Sequence, residues 1–215
     1  MQELIRANSL EDAKITAYHI GFVLGPCINA SGRLDTAARS LALLNAKTKE
    51  EAARLAGDLT ALNQSRKALT EKGKEEAIRI IETTELKNDR VLVVYLPDCH
   101  ESLAGIIAGR IREKYHRPAF VLTGGETSAK GSGRSIESYS MYEELVKCAD
   151  LMIQFGGHPM AAGLSIEEKN IEEFRRRLNV NCTLTDEELR PKIVIDVPMP
   201  VSYITKELVE QISLL

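Results

Sequence analysis

No stretch of the 215-residue sequence approaches the ~18 uninterrupted apolar residues of a membrane span. Met1-Gln2-Glu3-Leu4-Ile5-Arg6 likewise opens the chain without the apolar core of a signal peptide. Both absences point to a cytoplasmic protein with no membrane contact. Cysteine is sparse: Cys27, Cys99, Cys148 and Cys182 lie far apart with no Cys-x-x-Cys pair. That argues against a zinc site and a disulfide framework, and for reduced, buried or neutral thiols. An excess of positive charge is also missing. With 28 Lys+Arg against 31 Asp+Glu the net charge is −3, so there is no basic coat, and a polyanion would have to be held in a local pocket or groove. Neither an internal repeat nor a low-complexity tract occurs. The rest of the composition, 44% apolar and 27% charged, is that of a globular protein able to bury a sizeable core.

Apolar residues in the first 45 positions, Leu4, Ile15, Ile20, Val23 and Leu24, read as helical but incomplete, like the tail of a larger domain. Gly25-Pro26-Cys27-Ile28-Asn29-Ala30-Ser31-Gly32-Arg33-Leu34 reads as a packed loop, and Ala37 to Leu44 as another helix. Thr48 with Glu51 forms a capping-box pattern. From Lys49 onward Ala52, Ala53, Leu55, Ala56, Leu59, Leu62, Leu69, Ala77, Ile78 and Ile81 recur at helical spacing, with no proline before Pro97. The expectation is one helix approaching 35 residues, spanning about 50 Å and suited to linking two domains. Val91 to Leu96 is then a continuous β-branched run, expected of a buried strand. A helix from Ser102 to Tyr115, a strand from Ala119 to Leu122 and a glycine-rich strand from Ser128 to Ser135 follow. Ser140 with Glu143 starts a helix reaching about Ala149, Met160 to Ile166 reads as a strand, and Ser165 with Glu168 starts a helix through Leu178. Ile193 to Val197, bracketed by Pro191, Pro198 and Pro200, reads as a short strand opening a further module. The fold class is therefore α/β: helices and a long connecting helix, then a mixed sheet flanked by helices.

Two glycine-flanked polar clusters carry the chemistry. In Gly131-Ser132-Gly133-Arg134-Ser135, glycines leave room for a ligand to reach the main chain, while the Ser132 and Ser135 hydroxyls and the Arg134 fork supply donors suited to phosphate oxygens. In Phe155-Gly156-Gly157-His158, Gly156 and Gly157 present His158 on a backbone few other residues could follow. Arg33 and, less strongly, Asn29 are candidates from the loop before the long helix. His100 follows a strand and precedes a helix, where open sheets gather ligands. His19, among helical apolar residues, reads as a satisfied boundary histidine, and His116 as a turn residue. The run Arg175-Arg176-Arg177 follows Glu172 and Glu173 and reads as a face of i,i+4 ion pairs rather than a nucleic-acid contact.

Taken in order, Gly25 to Leu34, Leu62-Asn63-Gln64-Ser65-Arg66, His100-Glu101-Ser102-Leu103-Ala104-Gly105-Ile106-Ile107-Ala108, Gly131 to Ser135 and Phe155-Gly156-Gly157-His158-Pro159-Met160-Ala161-Ala162-Gly163 make the chain resemble the RecJ family, the single-strand-specific DNA exonucleases among the DHH phosphoesterases. The resemblance covers nearly the whole chain. It implies the C-terminal helices of a DHH domain at 1–48, a connecting helix at 49–86, a DHHA1 substrate-binding domain at 87–183 and the start of an oligonucleotide-binding (OB) module at 184–215. It also implies hydrolysis of phosphodiester bonds from a 5′ end with two divalent cations, Mn²⁺ or Mg²⁺, held by an N-terminal half. Asp-His-His does not occur in these residues, so they are expected to bind no metal and to be inactive alone. On this resemblance Ser132 and Arg134, with Arg33 from across a cleft, hold a DNA phosphate, and His100 and His158 face the scissile bond. Single-stranded DNA is the implied partner, and single-strand-binding protein a second one that the resemblance suggests. Two departures stand out: Cys27 lies where the family commonly has arginine, removing one basic contact, and Ser102 where it commonly has glycine. Two alternatives stay open. One is a DHHA1-type phosphodiesterase of small nucleotides or short oligonucleotides, or an accessory domain like that of alanyl-tRNA synthetase; the other is a binding module without chemistry.

Overall fold

The computed structural model describes residues 1–214. Its N-terminal part is helical. Helix α1 (Gln2–Ala7) is followed by α2 (Ala17–His19), which runs through a π-helical turn (Ile20–Leu24) into α3 (Gly25–Leu34), and then by α4 (Ala38–Asn45). The segment expected as a loop is thus a ten-residue helix. Leu24, Cys27, Ala30 and Ser31 recur at helical spacing and are buried. Leu24 and Cys27 join Leu55, Ala56 and Leu59 in one core, and this packing outweighs the poor helix propensity of the two glycines and the proline. His19 accepts from the Thr16 amide through Nδ1 and meets the Thr16 hydroxyl at 2.9 Å, which caps α2.

Helix α5 (Lys49–Thr83) is the long connector, 35 residues without a break. Its N-terminal half packs Leu55, Ala56 and Leu59 into the helical core. Its C-terminal half packs Ala77 and Ile81 into a separate core under the sheet. At its start the Thr48 hydroxyl accepts from the Glu51 amide at 3.2 Å, and Glu51 Oε2 accepts from the Lys47 amide. Thr48→Ala removes this cap and is expected to lower stability by about 1 kcal/mol, read as a lower urea midpoint with an unchanged slope.

The second part is a five-stranded sheet in the order β1-β2-β3-β5-β4. Strand β1 (Leu92–Leu96) runs parallel to β2 (Ala119–Thr123), joined by α6 (Glu101–Tyr115). The strands β3 (Ala129–Arg134), β4 (Met152–His158) and β5 (Ala161–Ile166) complete it with antiparallel pairings. On one face Val93, Phe120, Leu122, Leu164 and Ile166 pack beneath α7 (Met141–Val146) and α8 (Ile171–Asn181). On the other, Leu92, Val94, Leu96, Ala119 and Val121 pack beneath α6 and the end of α5. Alternation along each strand produces the two faces.

Three sequence expectations need correction here. Ser165 does not start a helix. It lies in β5 opposite Gln154 and Lys130, and its hydroxyl accepts from Lys130 Nζ at 3.1 Å; the next helix, α8, begins only at Ile171 after a 3-10 turn. The helix after Ser140 ends at Val146 rather than near Ala149. Residues Ile193 to Val197 form no strand; they are exposed and no partner strand accompanies them among the described residues. β-branched residues favour an extended backbone, but only an adjacent strand edge turns it into a ladder. A last helix, α9 (Lys206–Ile212), follows. Arg175, Arg176 and Arg177 all lie in carboxylate pairs, with Asp89, Glu172, Glu173 and Asp150.

Candidate nucleic-acid interface

The sheet register decides which site residues meet. Val121, Ser132, Gly163 and Gly156 occupy one row across β2, β3, β5 and β4; Ala119, Arg134, Ala161 and His158 occupy a second row two residues along. Both rows point to the same face. Helix α6 covers Ala119 and Val121, and beyond its edge the floor is built of small residues, with Gly156, Gly163 and His158 exposed. The structure therefore brings Ser132, Arg134, Gly156 and His158 onto one face of the sheet, the first two partly covered at the edge of α6 and the last two exposed.

A bulge in β4 aims His158 there. Met152 pairs with Ile166 and Gln154 with Ser165, leaving Ile153 as an extra residue. The extra residue lets Met152 and Phe155, three apart, both pack into the α7/α8 core, and from Phe155 the alternation places His158 on the opposite, open face. Gly157 sits at φ +155°, where an added Cβ would strike the Ala161 carbonyl oxygen, so this position needs glycine. Gly156 has open space around it.

Three candidates do something other than the sequence suggests. Strand β3 lies inside the sheet, paired with β2 on one side and β5 on the other, so its main chain offers a ligand no open edge. Gly131 and Gly133 face the α7/α8 core: a Cβ on Gly131 would come 2.9 Å from Leu164 Cγ, and one on Gly133 2.6 Å from Phe120 Cε1. These are packing glycines, not ligand-access glycines. Ser135 is 1% exposed, and its hydroxyl donates to the Tyr139 carbonyl at 2.6 Å, which ties a turn together.

Above the floor the helices contribute charge. Arg134 Nη1 donates to Ser132 Oγ at 3.2 Å and to the Gly133 carbonyl at 2.7 Å. Gly105 of α6 lies directly over them; a Cβ there would be 2.7 Å from Arg134 Nη2 and 2.9 Å from Ser132 Oγ. Arg33 reaches from α3 to the Ser102 carbonyl at 2.9 Å, and Asn29, one turn earlier, is exposed on the same helix face. His100 caps α6: its Nδ1 is 2.8 Å from Ser102 Oγ and accepts from the Ser102 amide. Ser102 thus joins His100 to Arg33. Desolvation, and then the Arg33 charge, pull down the pKa of Arg134. The same two causes, in the same order, pull down that of Arg66 on α5. Arg33 therefore stands within electrostatic reach of both. None of the three arginines is in a salt bridge among the described residues. Three half-buried guanidinium groups without a carboxylate are repulsive on their own, a repulsion that an anion of several oxygens would relieve.

Comparison with known proteins identifies the fold. Residues 88–182 match the DHHA1 domain family. Over 98% of its length the chain is 36% identical to the single-stranded-DNA-specific exonuclease RecJ of Salmonella typhimurium, and over 100% it is 33% identical to that of Bacillus subtilis. The crystal structure of RecJ in complex with Mg²⁺ from Thermus thermophilus superposes with a TM-score of 0.73, at 30% identity, over 83% of this chain and 28% of that one. The chain belongs to the RecJ family. It spans 38% of the Salmonella RecJ and 28% of the Bacillus RecJ. A RecJ exonuclease bound to manganese is similar too, with a TM-score of 0.71 over 82% of this chain and 43% of its own. Among the described residues no group of three His, Cys, Asp or Glu side chains could hold a metal ion, so the donors present do not fit the ions of those RecJ structures.

Arg66 is the residue that reading the sequence left without a role. The available signal was the spacing Asn63-x-x-Arg66: an arginine on a long helix with an amide three residues earlier. Gly105 stands in the sequence only as one member of the His100 to Ala108 motif.

Proposed function

We propose that this chain forms the phosphate-binding wall of a single-strand DNA exonuclease. The parent enzyme hydrolyses phosphodiester bonds from a 5′ end with two divalent cations, Mn²⁺ or Mg²⁺, whose ligands come from sequence outside these residues. The observation that carries the reading is the meeting of Arg33, bonded to α6 at Ser102, with Arg134, beneath Gly105 of the same helix, and with Arg66 on α5, none of them ion-paired, in a chain whose net charge is −3. A local cationic pocket holds a polyanion where the overall field does not. The Arg134 fork and the Ser132 hydroxyl take non-bridging phosphate oxygens, Arg33 and Arg66 approach from the helical side, and Asn29 lies at its margin. Neutralising those oxygens lowers the barrier to attack by an anionic nucleophile. His100, with Nδ1 engaged by Ser102, and His158, exposed at the end of β4, flank the bound phosphate. The small floor of Gly156, Ala161 and Gly163 leaves width for a strand rather than gripping a base.

Fluorescence anisotropy of the 215-residue chain with a 5′-phosphorylated single strand and with a dinucleotide tests this. Tighter binding of the single strand is expected, weakening steeply with salt. Tighter binding of the dinucleotide would replace the reading with a small-nucleotide phosphodiesterase. Release of nucleotides by these residues alone on adding Mn²⁺ would show that the metal ligands lie within them.

A further inference from the structure

Arginines of this protein regularly pair with an acid three or four residues away. Arg54 pairs with Asp58 and Arg79 with Glu76 on α5 itself, and Arg6 pairs with Glu3, Arg39 with Asp35 and Arg176 with Glu173 elsewhere. Arg66 has the same i,i+3 geometry but an amide as its partner. Asn63 Oδ1 accepts from Arg66 Nε at 3.1 Å and from Nη2 at 2.9 Å. Asn63 is only 4% exposed, and its Nδ2 donates to Cys27 Sγ at 3.4 Å. The Cys27 thiol is fully buried, with the Val23 carbonyl at 3.3 Å and Asn8 Oδ1 at 3.6 Å as acceptors for its own proton. Guanidinium donates and never accepts, so only one orientation of the Asn63 amide satisfies both neighbours.

We infer that Asn63 is a positioning residue that orients Arg66 toward the phosphate site without neutralising it, the step at which an aspartate would fail. This rests on the proposed function and adds to it how the charge is kept available. An aspartate would accept the same two N–H groups and hold the fork as well or better. It would also cancel the charge that a phosphate needs and compete with it for the same donors, in surroundings that screen the pair poorly. The amide supplies the geometry with no net charge. The depressed pKa of Arg66 fits, since burial and Arg33 act on it with no carboxylate to relieve them.

The test is Asn63→Asp in the 215-residue chain, binding a 5′-phosphorylated single strand at about pH 8, where an aspartate is ionised. Affinity is expected to fall roughly tenfold at low salt, and the slope of log affinity against log salt to become shallower by about 0.7, the value of one lost phosphate contact on a single strand. Should the buried carboxylate prevent folding, Asn63→Ser supplies the second arm. It keeps the Arg66 charge and loses its orientation, so affinity should fall several-fold with the slope unchanged. Wild-type affinity and slope in Asn63→Asp, or wild-type affinity in Asn63→Ser, would overturn the inference. The failure of the functional reading looks different: the unmodified chain itself would then show no salt-dependent binding of the strand.

Discussion

Replacing Arg134 by alanine is expected to weaken binding of a 5′-phosphorylated single strand roughly ten- to a hundredfold at low salt, the range for hydrogen bonds to charged groups. The salt dependence should flatten by about 0.7 in slope. Both numbers follow from its position. The guanidinium is half-buried, donates to Ser132 and Gly133, and stands over the open floor of the sheet with no acid beside it. Its removal deletes a charge and a fork together. Stability should change little, because the side chain fills no core and Arg33 no longer repels it. Anisotropy across a salt series measures both effects, and unchanged affinity would remove Arg134 from the site.

A companion substitution separates placement from charge. Gly105→Ala keeps every charge and, as glycine to alanine inside a helix, favours the fold by up to about 1 kcal/mol. Its Cβ, however, would lie 2.7 Å from Arg134 Nη2 and 2.9 Å from Ser132 Oγ, and the end of an arginine side chain moves aside at small cost. Affinity should therefore drop several-fold while the salt slope stays close to that of the unmodified chain. If Gly105→Ala binds like the parent, Arg134 acts as a diffuse charge and its placement is immaterial.

How far the sequence could be read depended on whether a signal was local. Helix α5 was legible over its whole length, because periodicity, a capping residue and the absence of proline all lie within the segment. Strand β1 was legible from its β-branched run. The segment Gly25–Leu34 was not, since glycine and proline speak for a turn, and the burial of Cys27 and Ala30 that makes it a helix depends on α5 thirty residues later. The site shows the same division. The glycine neighbours single out Ser132, Arg134 and His158, which the register places on one face of the sheet, but they mislead for Gly131, Gly133 and Ser135: which face a residue occupies is set by register with other strands. Arg66 was invisible as a site residue because its meaning comes from Arg33, brought near by the packing of α3 on α5.

The correction at Gly133 carries the second large effect. Gly133→Ala is expected to destabilise the sheet domain by about 2 kcal/mol, lowering the melting temperature by roughly 4–8 °C for a chain of this size. The added Cβ would meet Met141 Sδ at 2.5 Å and Phe120 Cε1 at 2.6 Å. A methionine can yield, but Phe120 is fully buried and locked edge-to-face with Phe174, ring centroids 5.4 Å apart. Its ring moves only if α8 moves with it. Alanine restricts the unfolded chain more than glycine does and returns about 0.4–1 kcal/mol, which keeps the loss from being larger. Gly156→Ala is the control. It lies on the exposed β4 with nothing within 4 Å of its Cβ, so only the restricted unfolded chain acts and its melting temperature should equal or slightly exceed the parent's. A ligand-access role for Gly133 predicts the reverse, normal melting with impaired strand binding. Thermal denaturation beside anisotropy on the two variants therefore tells a glycine that makes room for a core from one that makes room for a phosphate.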